Sequence, residues 1–452
     1  MKIRLDIPLT VSEIVRAVGG EYRGKDGIVR FISTDSREVS ADTLFIALGR
    51  GEKFVCDALI RGYAISAKST DAILVGDTNT ALLDLASYYK DILPKLKRTV
   101  MITGSVGKTT VKDFTAKILE EKYRVHKTVG NFNNLIGLPL SIFLASRNTE
   151  ILVLEAGMNH AGEIEKLSLC ARPDTAVITC IGSAHIGNLG TRENIAKAKL
   201  EITRGLKLGG VLIVPCDEVL LRGYKNELTF GVGADAEYEI KSADGKETVF
   251  DLRLFDKVIK DGRVPLVGTH FICDLTIAAL VGAHFGLDVK EINGAFSKFS
   301  DIKLRQNIVY LNNFTVYDDG YNASFESYLA DFEVLKGYKK DTGAVIGDML
   351  ELGEDGERLH RELGALAVKY GISRLYPFGK YSNAVADGAI EAGFKKDAIF
   401  INSDPWNFEK TAMAIIKNTT PDSMVLIKGS RALKTEKITA YLKTVLGEKN
   451  DG

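Results

Sequence analysis

The stretch "VMITGSVGKTTVKDF", residues 100–114, restricts what this chain can fold into more than any other. An apolar run of strand type gives way to a turn containing Gly104 and Gly107, and a helical pattern starts at Lys108. Glycine permits the sharp backbone path, and a helix starting there aims a row of amide N–H groups at one point. Such a cradle suits an anion, because the amides and the helix dipole both favour negative charge. Gly104, Ser105, Val106, Gly107, Lys108, Thr109 and Thr110 form the candidate phosphate-binding set. Lys108 can reach outer phosphates, and the Thr109 hydroxyl can ligate Mg²⁺. Ile102 stands where the general G-x-x-x-x-G-K-[ST] pattern has its first glycine, so the match is to a shortened T-G-x-x-G-K-T form. A loop of this kind serves motors, switches, kinases and ligases alike, and a glycine turn without a ligand is the plain alternative.

Around the loop, strand and helix patterns alternate. "EILVLEAG", "TAVITCIG" and "GVLIVP" are apolar runs separated by helical stretches, which argues for a mostly parallel sheet covered on both faces. Before residue 98, short runs such as "TLFIAL" and "AILVG" read as a small α/β unit, closed by the linker-like "PKLKRT". After "HFICDLTIAALVGAHFG", a mainly apolar helix, a further βα series opens at "RQNIVYLNNFTVYDDGYNAS". The chain is therefore expected to be α/β in class with three domains: residues 1–97, a central 98–305 and a C-terminal 306–452. A length of 452 residues agrees, since one hydrophobic core seldom supports so many.

Lysine plus arginine equals aspartate plus glutamate at 59 each, so no nucleic-acid or anionic-membrane partner is expected. The five scattered cysteines lack metal-ligand spacing and point to a reducing compartment. No run approaches the roughly 18 apolar residues of a membrane span, and "MKIRLDIPLTVSEI" lacks the apolar core of a signal peptide. A cytoplasmic protein, without membrane insertion, is the expectation.

Ligands of open α/β sheets bind at the carboxyl ends of the strands. "EILVLEAG" delivers Glu155 to such an end, and "TAVITCIGSAH" delivers His185 just past another. A carboxylate beside phosphates suits Mg²⁺, which needs few protein ligands there; His185 is either a second ligand or an ordinary loop histidine. Farther on, Thr191 can cap a helix on which Ile195, Lys199, Ile202 and Leu206 share one stripe. Lys199 thus falls among core-facing positions. It either snorkels to water or is buried, and a buried neutral amine can add CO₂ to become a carbamate with oxygen-ligand character.

Taken in order, "TGSVGKTT", "GNFNNLIGLPL", "EAGMNHAGEI", "SAHIGNLGTRENIAKAKLEI", "DDGYNAS", "GDMLELGE", "LHRELG" and "KGSR" resemble the Mur ligases, and "DSREVSADTLFIAL" resembles their uridine-nucleotide-binding region. "GNFNN", "GDMLELGE" and "DDGYNAS" are most similar to the branch that adds D-Ala-D-Ala. The resemblance implies an N-terminal domain for a UDP-sugar, a central P-loop ATPase and a C-terminal Rossmann-like domain. It implies ATP and Mg²⁺ as cofactors, UDP-muramoyl peptide and D-Ala-D-Ala as small-molecule substrates, a monomer, and amide-bond formation through an acyl phosphate. Residue by residue it implies catalytic roles for Lys108, Lys199 and His185, and metal ligation by Thr109, Glu155, His185 and carbamylated Lys199. It assigns nucleotide contacts to Asp274, Arg305 and Asp319, and substrate contacts to Ser36, Arg37, Asn131, Asn133 and Asn134.

Three positions depart from the family pattern. Val55, Cys56 and Asp57 replace its "DGH", Asp274 replaces an asparagine, and "GYNASF" replaces "SYNANP". A paralogue joining another carboxylate and amine, or a nucleotide-binding partner without turnover, are the rival readings.

Overall fold

The computed structural model describes residues 1–184, 186–243, 247–266, 268–299, 307–338 and 340–449, apart from the side chains of Thr269 and Asn307. By their contacts these form two compact units. One comprises Met1–Thr179, Ala196–Ala236 and Ile277–Ala295; the other comprises Cys180–Ile195, Glu237–Thr276 and Phe296–Gly452. As expected from the strand–helix alternation, the fold is mixed α/β with mostly parallel sheets.

The first unit begins with a five-stranded sheet in the order Lys2–Thr10, Ile28–Ser33, Thr43–Ile46, Tyr63–Ser66, Ile73–Leu74. Its first pair is antiparallel and the rest parallel. Local signals set the helix starts here. Thr10 and Glu13 form a reciprocal capping box before helix Val11–Val18, and Asp77 caps helix Thr78–Asp91.

The same unit holds six parallel strands in the order Glu227–Phe230, Val211–Pro215, Thr175–Ile178, Arg98–Thr103, Ile151–Glu155, Val125–Lys127. The three inner ones are buried nearly throughout, which is why they read as unbroken apolar runs rather than alternating ones. Strand Arg98–Thr103 lies between Ile151–Glu155 and Thr175–Ile178, with Ile102 level with both Glu155 and Val177. The glycine turn therefore leaves the sheet where strand order reverses, the position at which such sheets hold ligands.

In the second unit, strands Thr248–Leu254 and Lys257–Val264 pair antiparallel. Its other sheet has the order Asn307–Tyr310, Thr315–Asp319, Met424–Lys428, Thr342–Gly347, Arg374–Phe378, and only the first pair is antiparallel. Apolar clusters cover both faces, one around Tyr328, Phe332 and Leu363 and the other around Tyr376, Phe378 and Ile415. Among the described residues no helix is long and apolar enough to cross a membrane.

Candidate active site

The glycine turn takes its shape from a neighbouring strand end. Gly104 has φ +149°, and a Cβ there would lie 1.8 Å from the Thr179 hydroxyl oxygen, so only glycine fits. Thr179 donates its hydroxyl to the Val106 carbonyl and its N–H to Thr103 at 2.9 Å. Gly107, at φ +83°, starts helix Lys108–Leu119 and brings no side chain to compete for the first amides. The Lys108 ammonium lies back over the loop, donating to the carbonyls of Gly104 at 2.7 Å and Ser105 at 3.1 Å.

Glu155 ends its strand 1% exposed, facing the start of that helix. Its oxygens accept from the Thr109 hydroxyl and the Asn133 side-chain amide, each at 2.8 Å, while its own N–H donates to Thr128 Oγ1 at 2.9 Å. The two side-chain donors are neutral, so they orient the carboxylate without cancelling its charge. Asn133 is held in turn, its carbonyl accepting the Gly157 N–H at 2.7 Å. A Cβ at Gly157 would stand 3.1 Å from the Asn133 side chain, so the small residue in "EAGMN" makes room for the amide. Asn134 instead shapes the backbone, its Oδ1 accepting from the N–H groups of Ile136 and Gly137 where helix Gly137–Phe143 begins. Asn131 is exposed and accepts the Asn133 N–H at its carbonyl.

Lys199 sits on helix Arg192–Leu200 and is 1% exposed, so it does not snorkel to water. Thr191 Oγ1 accepts the Asn194 N–H at the helix start, and Ile195 and Ile202 on the same stripe are fully buried. His185 and Arg305 lie outside the described residues. Among the described residues no group of three or more His, Cys, Asp and Glu gathers as a metal cage. The donor set of a carboxylate plus a hydroxyl instead fits a cation such as Mg²⁺ that takes its remaining oxygens from phosphate and water.

Ser36 and Arg37 line a cleft of about 880 Å³ in the N-terminal sheet region, together with Arg50, Arg61, Phe54 and Asp57. Arg37 forms a bidentate pair with Asp35, through Nε at 2.9 Å and Nη2 at 2.6 Å, which holds that carboxyl well below the usual range. Arg61 donates to the Ser36 carbonyl at 3.0 Å. The substituted Asp57 therefore belongs to the wall of this cleft.

Asp319 ends its strand beside Lys428, the lysine of "KGSR". Lys428, 1% exposed, forms ion pairs with Asp319 and, at 2.8 Å, with Asp331. Burial raises the Asp319 carboxyl to about 6 against the pull of Lys428. Burial opposes the charge on Lys428, but the two carboxylates outweigh it and raise its pKa. Tyr317 donates to Asp331 at 2.9 Å, and Tyr328 donates to the carbonyls of Gly347 and Lys428. Asp274 keeps a partly exposed edge on helix Thr269–His284, between fully buried Ile272 and Leu275, and burial pushes its carboxyl well above the ordinary carboxylate value.

The motifs "GDMLELGE", "LHRELG" and "KGSR" are knitted together by hydrogen bonds. Buried His360 accepts the Met349 N–H at Nε2, 2.9 Å, and donates from Nδ1 to the Gly356 carbonyl at 2.5 Å. Ser430 donates its N–H to the Asp348 carbonyl and accepts the Leu350 N–H at Oγ. Asp348 accepts the N–H groups of Lys380 and Tyr381. Spacing alone does not expose these contacts, because their partners lie far apart in sequence; the motifs stand out only through the family resemblance.

Two family models match the chain, the Mur ligase middle domain over residues 102–282 and the Mur ligase glutamate ligase domain over 304–431. The UDP-N-acetylmuramoyl-tripeptide–D-alanyl-D-alanine ligase of Bacillus subtilis is 36% identical, with 96% of this chain and 97% of that protein covered. This chain belongs to the Mur ligase family. It is an enzyme of the ligase class. The Escherichia coli protein of the same name is 29% identical over 97% of this Mur ligase and 99% of its own length. Among solved structures, MurF from Acinetobacter baumannii superposes with a TM-score of 0.88 at 27% identity, covering 98% of this chain and 100% of that one. MurF from Thermotoga maritima in complex with ADP does so with a TM-score of 0.79 at 28% identity, covering 91% and 97%.

Proposed function

We propose that this Mur ligase joins D-Ala-D-Ala to a UDP-N-acetylmuramoyl tripeptide with hydrolysis of ATP to ADP and phosphate, a step of peptidoglycan precursor synthesis carried out in the cytoplasm by a monomer. The full-length similarity to the Bacillus subtilis and Escherichia coli ligases of that name supports the substrates. The observation that carries the chemistry is the Thr109–Glu155–Asn133 array set against the glycine turn.

In this reading the tripeptide carboxylate attacks the γ-phosphate of ATP, ADP leaves, and the amine of D-Ala-D-Ala attacks the acyl phosphate carbonyl to release phosphate. Two anions must meet, so the site has to offset their repulsion. The amides of residues 104–110 and the Lys108 ammonium supply positive charge to the phosphates. Mg²⁺, when bound, neutralises charge on the transferring group. Thr109 and Glu155 would hold it, with His185 and a Lys199 carbamate as further ligands. Burial of Lys199 at 1% exposure supports the carbamate reading, since it keeps the side chain away from bulk water.

Ser36 and Arg37 take the uridine nucleotide in the arginine-lined cleft, and the Asn131–Asn134 loop meets the peptide while Asn133 orients Glu155. Asp274, Arg305 and the Asp319–Lys428 pair serve the nucleotide. The functional division falls at 1–97, 98–305 and 306–452.

Phosphate release from ATP tests the reading. Stimulation is expected only when UDP-muramoyl tripeptide and D-Ala-D-Ala are both present, with the amide product seen by mass spectrometry. No stimulation by that pair, with turnover on a different carboxylate and amine, would transfer the assignment to the paralogue.

A further inference from the structure

Gly182, Ser183, Ile186 and Gly187 are each held by the C-terminal part of their own unit. Glu326 stands in the first turn of helix Phe325–Gly337, just past the "GYNAS" sequence. The helix start is capped by Ser324, whose Oγ accepts the Ser327 N–H at 3.3 Å, so the Glu326 carboxylate is available for another partner. That partner is Ser183, which donates its N–H at 2.6 Å and its hydroxyl at 3.2 Å. Gly182 makes the approach possible: a Cβ there would lie 2.6 Å from the Glu326 carboxyl carbon. Next in the chain, Ile186 packs against the apolar cluster that includes Tyr328, Met349 and Leu352. Gly187 then donates its N–H to the Glu351 carbonyl at 3.0 Å, and a Cβ on Gly187 would stand 2.5 Å from the Gly353 nitrogen. The turn it meets is tightly wound, with Glu351 at φ +66° and Gly353 at +57°.

We infer that Glu326 is a positioning residue for ligation: its carboxylate fixes Ser183, and so anchors the chain that follows it. This rests on the proposed reading, in which His185 of that segment serves the metal. The interaction is charge-assisted and uses both carboxylate oxygens, which gives it direction as well as strength. Nothing in the catalytic set requires Glu326 to touch substrate; it acts through the segment it holds.

Full-length Glu326→Ala, Glu326→Gln and Gly182→Ala, with the Glu326→Ala/Gly182→Ala pair, provide the test. Glu326→Ala is expected to lower kcat roughly tenfold with the KM for ATP unchanged, as loss of a hydrogen bond to a charged group entails. Glu326→Gln keeps an oxygen for the Ser183 N–H and restores most of kcat. Gly182→Ala alone collides with the carboxylate and impairs turnover, yet adds no further loss in the Glu326→Ala background. Hydrogen–deuterium exchange over residues 181–189 is expected to rise in Glu326→Ala while the melting temperature holds. Unchanged exchange in that variant overturns the clamp, and raised exchange with wild-type kcat overturns its bearing on catalysis. If the wild-type enzyme fails to ligate the proposed pair, the functional reading fails, and the exchange measurement still decides whether Glu326 holds the segment.

Discussion

Glu155 and Asp319 occupy equivalent places, each the last residue of a parallel strand at the ligand end of its sheet, yet their surroundings differ in kind. Glu155 is oriented by a threonine hydroxyl and an asparagine amide, both neutral. Asp319 is neutralised by Lys428, which also carries Asp331, inside a core closed by Tyr317 and Tyr328. The fold thus offers the same position twice. Uncharged hydrogen-bond donors orient the first carboxylate, whereas a buried ammonium ties the second into an ion-pair network.

Substitutions can break this contrast. The largest effect is expected from Lys428→Met, which strands two buried carboxylates and should cost about 3–5 kcal/mol in a denaturant titration. A loss below ~1 kcal/mol would remove the structural half of the comparison. Glu155→Gln should do the reverse, lowering turnover on the order of 10²- to 10³-fold with little change in melting temperature. Turnover within a few-fold of wild type would mean that its charge is not used. Asn133→Ala, which leaves the charge but frees the carboxylate to turn, is expected to reduce turnover roughly tenfold and to raise the Mg²⁺ concentration needed for half-maximal rate. An unaltered Mg²⁺ dependence would show that Asn133 does not orient Glu155.

The smallest effect concerns acid stability. Burial lowers the His360 pKa below 6.5, so the unfolded chain takes up the proton more readily than the folded one. Its contribution to stability is complete above 6.5 and is lost as pH falls toward the lower folded value. His126 and His284 are shifted the same way by burial, so the whole acid limb should slope downward below that pH. Melting curves of His360→Gln should show a shallower acid limb than wild type; an identical slope would mean that His360 is not part of it.

What the sequence disclosed, and what it withheld, follows from range. The loop at 104–110 was legible because strand, glycines and helix are consecutive, and Glu155 because strand ends are predictable from apolar runs. The helical stripe exposed Lys199, although periodicity alone left burial and snorkelling both open. Contacts that join distant segments left no periodic trace. Asn133 looked like one of several loop asparagines until its amide met Glu155, and Lys428 was one lysine in a motif until two carboxylates closed on it. Gly104 and Gly182 carried a clue of another sort, since each omits a side chain where a distant residue needs the space. The two-unit division was hidden as well, because residues Cys180–Ile195 follow a strand of one unit and cluster with the other.

That last feature bears on how such enzymes are recombined. A chimera that exchanges C-terminal regions at a cut near residue 306 would carry Glu326, Glu351 and Gly353 into a background whose 182–187 sequence was selected against different neighbours. The natural unit of exchange is discontinuous. Grafts that transplant residues 180–195 along with the C-terminal sequence preserve the fit of Gly182 and Gly187, while single-crossover grafts sever it.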